Sequence, residues 1–178
     1  MLKRFLRMGF WAALFALIFN IFSQTLLAKV DLVSAFILVL AVVAIGIFFD
    51  LIGTAAAAAV ETPFHSMASS RVPGAKTAVW LVRNADKVTN ICNDLIGDIC
   101  GTLSGAMTAV IVFRLLLIQP SLPETILSTL LVSLVSALTI GGKAAWKKVG
   151  LDYSQEIILN TAKVIRFIYR KELGSKKR

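Results

Sequence analysis

The apolar run from Leu32 to about Val60 constrains this chain most. A single charge, Asp50, interrupts it. About 20 such residues in a helix cross the hydrocarbon of a bilayer. Further apolar runs extend from Gly9 to about Ala28 and from Thr125 to Ile140, and a further long helix is expected from about Ala85 to Ile118. The chain is 57% hydrophobic with a mean hydropathy of +0.80, above the near-half apolar share of soluble domains. The expected fold class is an all-α membrane protein. It has about four transmembrane helices plus a juxtamembrane amphipathic C-terminal helix.

The first run follows Lys3, Arg4 and Arg7. It is longer than the apolar middle of a signal peptide, and no small-x-small cleavage site precedes Lys29. Residues 1–31 are therefore expected to form a retained N-terminal span. Residues 32–150 are expected to form a three-helix core with a cytoplasmic loop at 61–89. Thr62-Pro63 should end the second helix, and Ser66, Ser69, Ser70, Pro73 and Gly74 mark loop. A short amphipathic helix over Ala75–Val82 offers Val79, Trp80 and Val82 to the membrane interface. His65 is expected as a solvated loop histidine. Residues 151–178 form an amphipathic helix and a basic tail. Ile157, Ile158, Thr161, Val164, Ile165 and Ile168 share one face, and Asp152 with Gln155 resembles a capping box.

The charge map tests this topology independently. The net charge is +9. With a cytoplasmic N-terminus and four spans, seventeen of the nineteen Lys and Arg residues fall inside, leaving Lys29 and Arg114. Cytoplasmic segments of membrane proteins carry this excess. The expected location is the plasma membrane, with both termini cytoplasmic and the lipid bilayer as a partner. The basic residues carry no interleaved stacking aromatics, so nucleic acid is not an expected partner. Cys92 and Cys100 lie eight apart on one helix, too far for a disulfide. With one histidine they make no zinc site. They read as small buried hydrophobes.

Within this frame, Asn90–Thr108 stands out. On a regular helix Asn90, Asn93, Asp94, Gly97, Asp98, Gly101, Ser104, Gly105 and Thr108 share one broad face. Ile91, Leu95, Ile99, Leu103, Met107 and Val110 fall mainly to the other. Carboxylates in a membrane helix are expensive and mark function by default. Two readings follow. In one, Asn93, Asp94 and Asp98 bind a cation, since carboxylate and carboxamide oxygens suit hard ions; a kink near Gly97 would add backbone carbonyls. In the other, Gly97, Gly101 and Gly105 form overlapping GxxxG units that bring helices into contact. Asp94 then pairs with a basic residue such as Lys143. No nucleophile–base pair is present, so no enzyme is expected.

Three ordered segments resemble the transmembrane domain of the cyclin M/CorC family of magnesium and cobalt transport-related proteins. AAAAAVETPF, with Glu61 and Thr62, is similar to the family's first helix ending in a SET motif. NADKVTNICNDLIGD, with Asn93-Asp94, is similar to its paired-asparagine helix. TIGGKAAWKKVGLD, with Gly142 and Lys147, is similar to its FGEVLPK segment. The resemblance covers about residues 32–170 and implies the fold, a homodimer and an ion transport-related role. The candidate ligands for a cation such as Mg²⁺ or Na⁺ are then Asn93, Asp94 and Asp98, with Glu61 added by the resemblance. The family's serine positions are mostly alanine here, Asp94 replaces an asparagine, and Lys143 replaces the glutamate of FGE. A cation at Lys143 opposes a divalent ion, so an altered or lost metal site is expected, with an Asp94–Lys143 ion pair standing in. The family's regulatory domains have no counterpart in this sequence. The alternative is a non-transporting scaffold or accessory subunit bound to another membrane protein, held by glycine packing and that ion pair.

Overall fold

The computed structural model describes the backbone of residues 2–175. The side chains of Lys3, Arg4, Arg7, Arg170 and Lys171 and the end of the basic tail lie outside the described residues, and so do the expectations placed on them. Among the described residues the fold is entirely helical. The helices are α1 (Leu2–Lys29), α2 (Leu32–Ala58), α3 (Thr62–Ser69), α4 (Ala75–Arg83), α5 (Ala85–Thr89), α6 (Asp98–Ile118), α7 (Glu124–Asp152) and α8 (Ser154–Ser175). A π-helical segment, Asn90–Gly97, joins α5 to α6.

Among the described residues, three helical stretches are long and apolar enough to cross a membrane: Leu32–Ala58, Ala85–Ile118 and Glu124–Asp152. Their length and composition point to a membrane protein. The apolar stretch described in α1, Gly9–Thr25, is shorter. Three local expectations are corrected. α7 does not stop with the apolar run at Ile140 but continues through Gly141-Gly142 and the following lysines to Asp152. Asp152 thus closes α7, and α8 restarts after Tyr153 without a capping box at its head. Residues 62–69 are helix rather than loop. Pro63 sits in the first turn of α3, where its missing N–H has no intrahelical partner to lose.

The chain divides into two compact units. The first comprises Met1–Phe48 and Leu95–Lys143. Its core is Leu27 of α1, Ala35 and Val39 of α2, and Leu103, Met107 and Ile111 of α6, with Leu131 and Val135 of α7 packed against it. α6 buries Leu103, Ser104, Met107, Thr108, Ile111 and Val112 as one stripe. Hydroxyl and apolar residues therefore share its buried side, which corrects the expected division into a polar and an apolar face. The hydroxyls are satisfied within the helix: Ser104 Oγ donates to Gly101 O at 2.9 Å and Thr108 Oγ1 to Ser104 O at 2.7 Å.

The turn between α1 and α2 is held from two sides. Asp31 Oδ2 accepts from the N–H groups of Val33 and Ser34 at 3.1 and 3.2 Å, and Ser34 Oγ donates to Oδ1 at 2.6 Å. This is an N-cap. The Ser34 hydroxyl holds the Asp31 carboxyl below its ordinary range. From α6, Arg114 Nη1 donates to Val30 O at 2.9 Å. Arg114 is therefore a structural strut for this turn.

The second unit comprises Phe49–Asp94 and Ala144–Arg178. Phe64 of α3 is fully buried in its core, with Ile52, Ala55 and Ala56 of α2, Ala78 and Leu81 of α4, Val88, Cys92, and Ile158 and Ala162 of α8. α3 ends with Arg71 in the left-handed region (φ 58°), and Val72 N–H donates to Met67 O at 2.9 Å. That six-residue closure is a Schellman motif, usually built with glycine. Gly74 has φ 88°, and a Cβ there would stand 3.0 Å from the backbone nitrogen of Lys163. Only glycine allows the backbone of α8 this close.

Candidate functional site

The π-helical segment is the main departure from a regular helix. Asn90, Ile91, Cys92, Asn93, Asp94, Ile96 and Gly97 are mostly weak α-formers, so the local preference for ordinary α-geometry is small. π-helices are rare and are frequently found at functional sites. The segment lies where the carboxamides and the first carboxylate were expected to act, and it ends at Gly97. An eight-residue widening takes the place of a point kink.

Asn93 lies within the second unit. Its side chain rests on Gly53 of α2: a Cβ at Gly53 would overlap Asn93 Oδ1 and come 2.7 Å from its Cγ and 3.1 Å from Cys92 Cβ. One turn earlier, Thr89 Oγ1 donates to Gly53 O at 3.1 Å. A side-chain amide and a hydroxyl thus converge on one glycine. Asn93 Oδ1 is buried and accepts no hydrogen bond among the described residues. A buried acceptor without a partner costs about 1–3 kcal/mol, so it calls for a functional explanation.

The other expected site residues distribute as follows. Asp94 is exposed and belongs to the second unit, whereas Asp98 is exposed and belongs to the first. Lys143 is partly buried in the first unit. Glu61 is engaged elsewhere in the second unit. His65 Nε2–H donates to Glu61 Oε1 at 2.6 Å, and Arg83 Nε donates to the same oxygen at 2.5 Å. His65 is exposed, as expected, but it sits on α3 rather than on a loop. The His65 hydrogen bond, with Arg83 adding to it, holds the Glu61 carboxyl below its ordinary range. Among the described residues no three His, Cys, Asp or Glu side chains gather into a metal-binding group. The oxygen the structure leaves without a hydrogen bond here is the neutral carboxamide oxygen of Asn93, a type of ligand that hard cations accept.

The glycines exchange roles. A Cβ at Gly101 or Gly105 would meet nothing within 4 Å. With Ser104, Val135, Ser136 and Thr139 they line a groove of about 150 Å³ between α6 and α7. Close approaches occur instead at glycines not singled out by spacing. A Cβ at Gly46 would stand 2.9 Å from Cys100 Cβ, and one at Gly142 would overlap Ile47. A Cβ at Gly150 would stand 3.2 Å from Leu51 Cδ1 and 3.3 Å from Thr54 Cγ2. Gly46 and Gly53 are seven residues apart in an otherwise bulky apolar run, and that spacing was the available signal. Cys92 is buried and Cys100 partly buried, both as free thiols.

No family model, curated protein or solved structure matches this chain. Its function has to be argued from its own residues.

Proposed function

We propose that the chain is an ion transport-related protein of the plasma membrane with an altered cation site centred on Asn93. On this reading α1 is a fourth span, both termini are cytoplasmic, and the protein is a homodimer, in line with the resemblance to the cyclin M/CorC transmembrane domain. One observation carries the proposal: a buried carboxamide oxygen lacking a hydrogen bond, in a π-helical stretch of a membrane-length helix. A cation accepting that lone pair offsets the cost of burying it. Asp94 adjoins Asn93 in sequence and supplies compensating charge. Glu61, tied to His65 and Arg83, is a structural anion in this account rather than a ligand. Neutral carboxamide and backbone oxygens hold a cation weakly, so Na⁺ and weakly held Mg²⁺ are the two candidate cargoes.

The test is ion flux in proteoliposomes. Wild-type protein carries Na⁺ or Mg²⁺, and Asn93→Ala loses the flux while retaining its helical content. Flux unaffected by Asn93→Ala rejects the site.

The second reading is a non-transporting scaffold or accessory subunit, favoured by the close packing at Gly46 and Gly53. It predicts no flux from the wild type and the same stability with and without ions.

A further inference from the structure

The outer face of α4 is not absorbed by the ion site. α4 buries Ala75, Ala78 and Leu81. Lys76, Trp80 and Arg83 follow one another at spacings of four and three on the opposite side, and all three are exposed. The sequence offered Val79, Trp80 and Val82 together to the interface. The structure separates them: Val79 and Val82 pack against the core, whereas Trp80 is 57% exposed. Lys87 of α5 is tied to the same place. Its Nζ donates to Asn84 Oδ1 at 3.2 Å, and Asn84 Nδ2 donates to Trp80 O at 2.9 Å. Segment 61–89 carries Arg71, Lys76, Arg83 and Lys87 against two acids, Glu61 and Asp86. Glu61 is already paired with Arg83 and His65.

We propose that this face, Lys76 and Trp80 with Lys87, docks on the headgroups of anionic phospholipids, with Trp80 as its apolar anchor. An indole has an apolar body and one polar N–H, and it settles at the headgroup level of a bilayer. Cations around it meet lipid phosphates there, each adding to the attraction. The charge is complementary to an anionic surface. A single aromatic side chain offers no ladder on which bases could stack, which disfavours single-stranded nucleic acid. The inference rests on the membrane reading but not on the cation site.

The test uses the full chain in lipid nanodiscs. Substituting Trp11→Phe and Trp146→Phe leaves Trp80 as the sole tryptophan. Expected in discs containing phosphatidylglycerol are a blue-shifted Trp80 emission, quenching by brominated acyl chains and protection from iodide. Phosphatidylcholine discs show less of each, and salt weakens the difference. Lys76→Gln with Lys87→Gln raises the phosphatidylglycerol content needed for the half-maximal shift by roughly five-fold per lysine. The corresponding arginine substitutions preserve it. Equal iodide access in both lipids overturns the proposal. So does a shift that the glutamine pair leaves unchanged, or a stronger response to a short oligonucleotide than to phosphatidylglycerol. Unaltered helical content in the glutamine pair separates a lost contact from a lost fold.

Discussion

Asn93 of the π-helical segment rests on Gly53 of α2 with no room for a methyl group between them. The same glycine's carbonyl accepts the Thr89 hydroxyl at 3.1 Å. The position of the π-helical segment and the aim of its carboxamide are therefore both fixed by a residue without a side chain.

Gly53→Ala is expected to destabilise the protein by about 1–3 kcal/mol through overpacking. Because the clash is chiefly with the Asn93 amide, Asn93→Ala in the same chain should restore most of that loss. Thermal unfolding of the two single variants and the double variant in detergent measures the coupling. Additive losses would mean that the two residues do not act on each other.

Gly46 and Gly101 should respond in opposite directions. Gly46→Ala forces a Cβ to within 2.9 Å of Cys100 Cβ, and a loss of about 1–3 kcal/mol is expected. Gly101→Ala meets open space and should gain up to about 1 kcal/mol from helix propensity. The proposed homodimer adds a separate readout, since size-exclusion chromatography of Gly101→Ala reports whether that open surface is used between copies.

Acid should weaken the contact at Glu61. Its carboxyl titrates below the ordinary 4.5 because His65 and then Arg83 favour the charged form. A group with a depressed folded-state value contributes stability above its unfolded value and loses it as pH falls through the folded value. The stability advantage of wild type over Glu61→Gln is thus present at neutral pH and shrinks as pH drops below about 4.5. Melting curves of both proteins across that range check this. A difference independent of pH would show that the carboxylate charge is not what the contact uses.

Arg114→Leu should loosen the α1–α2 turn, because the guanidinium reaches Val30 O at 2.9 Å. Hydrogen bonds to charged groups contribute about 1.5–3 kcal/mol. Hydrogen exchange at Val33 and Ser34, whose amides Asp31 caps, locates the loss. Exchange unchanged at those amides would remove the strut.

The three long spans were legible because apolar runs of that length have few alternatives. The helical character of α8 was legible from its periodicity. Its surroundings were not: Ile158 and Ala162 are buried in the core, whereas Val164, Phe167 and Ile168 remain exposed. One apolar face thus serves two environments, which a moment along one helix cannot separate. The π-helix departs from 3.6 residues per turn, so the faces drawn on a regular helix do not hold there. The Gly97, Gly101 and Gly105 spacing marked where helices could touch without saying where a neighbour stands. Glu61 reaches Arg83 across 22 residues, a contact that no local pattern encodes.

Cation-dependent stability of the purified full chain tests the central claim most directly. A cation at about ten times its Kd contributes roughly 1.4 kcal/mol, or a Tm rise of about 3–6 °C for a chain of this size. The account predicts such a rise with millimolar Mg²⁺ or with Na⁺ at matched ionic strength, and its loss in Asn93→Ala. A wild-type Tm that neither cation moves, or an Asn93→Ala variant that keeps the full rise, would contradict it.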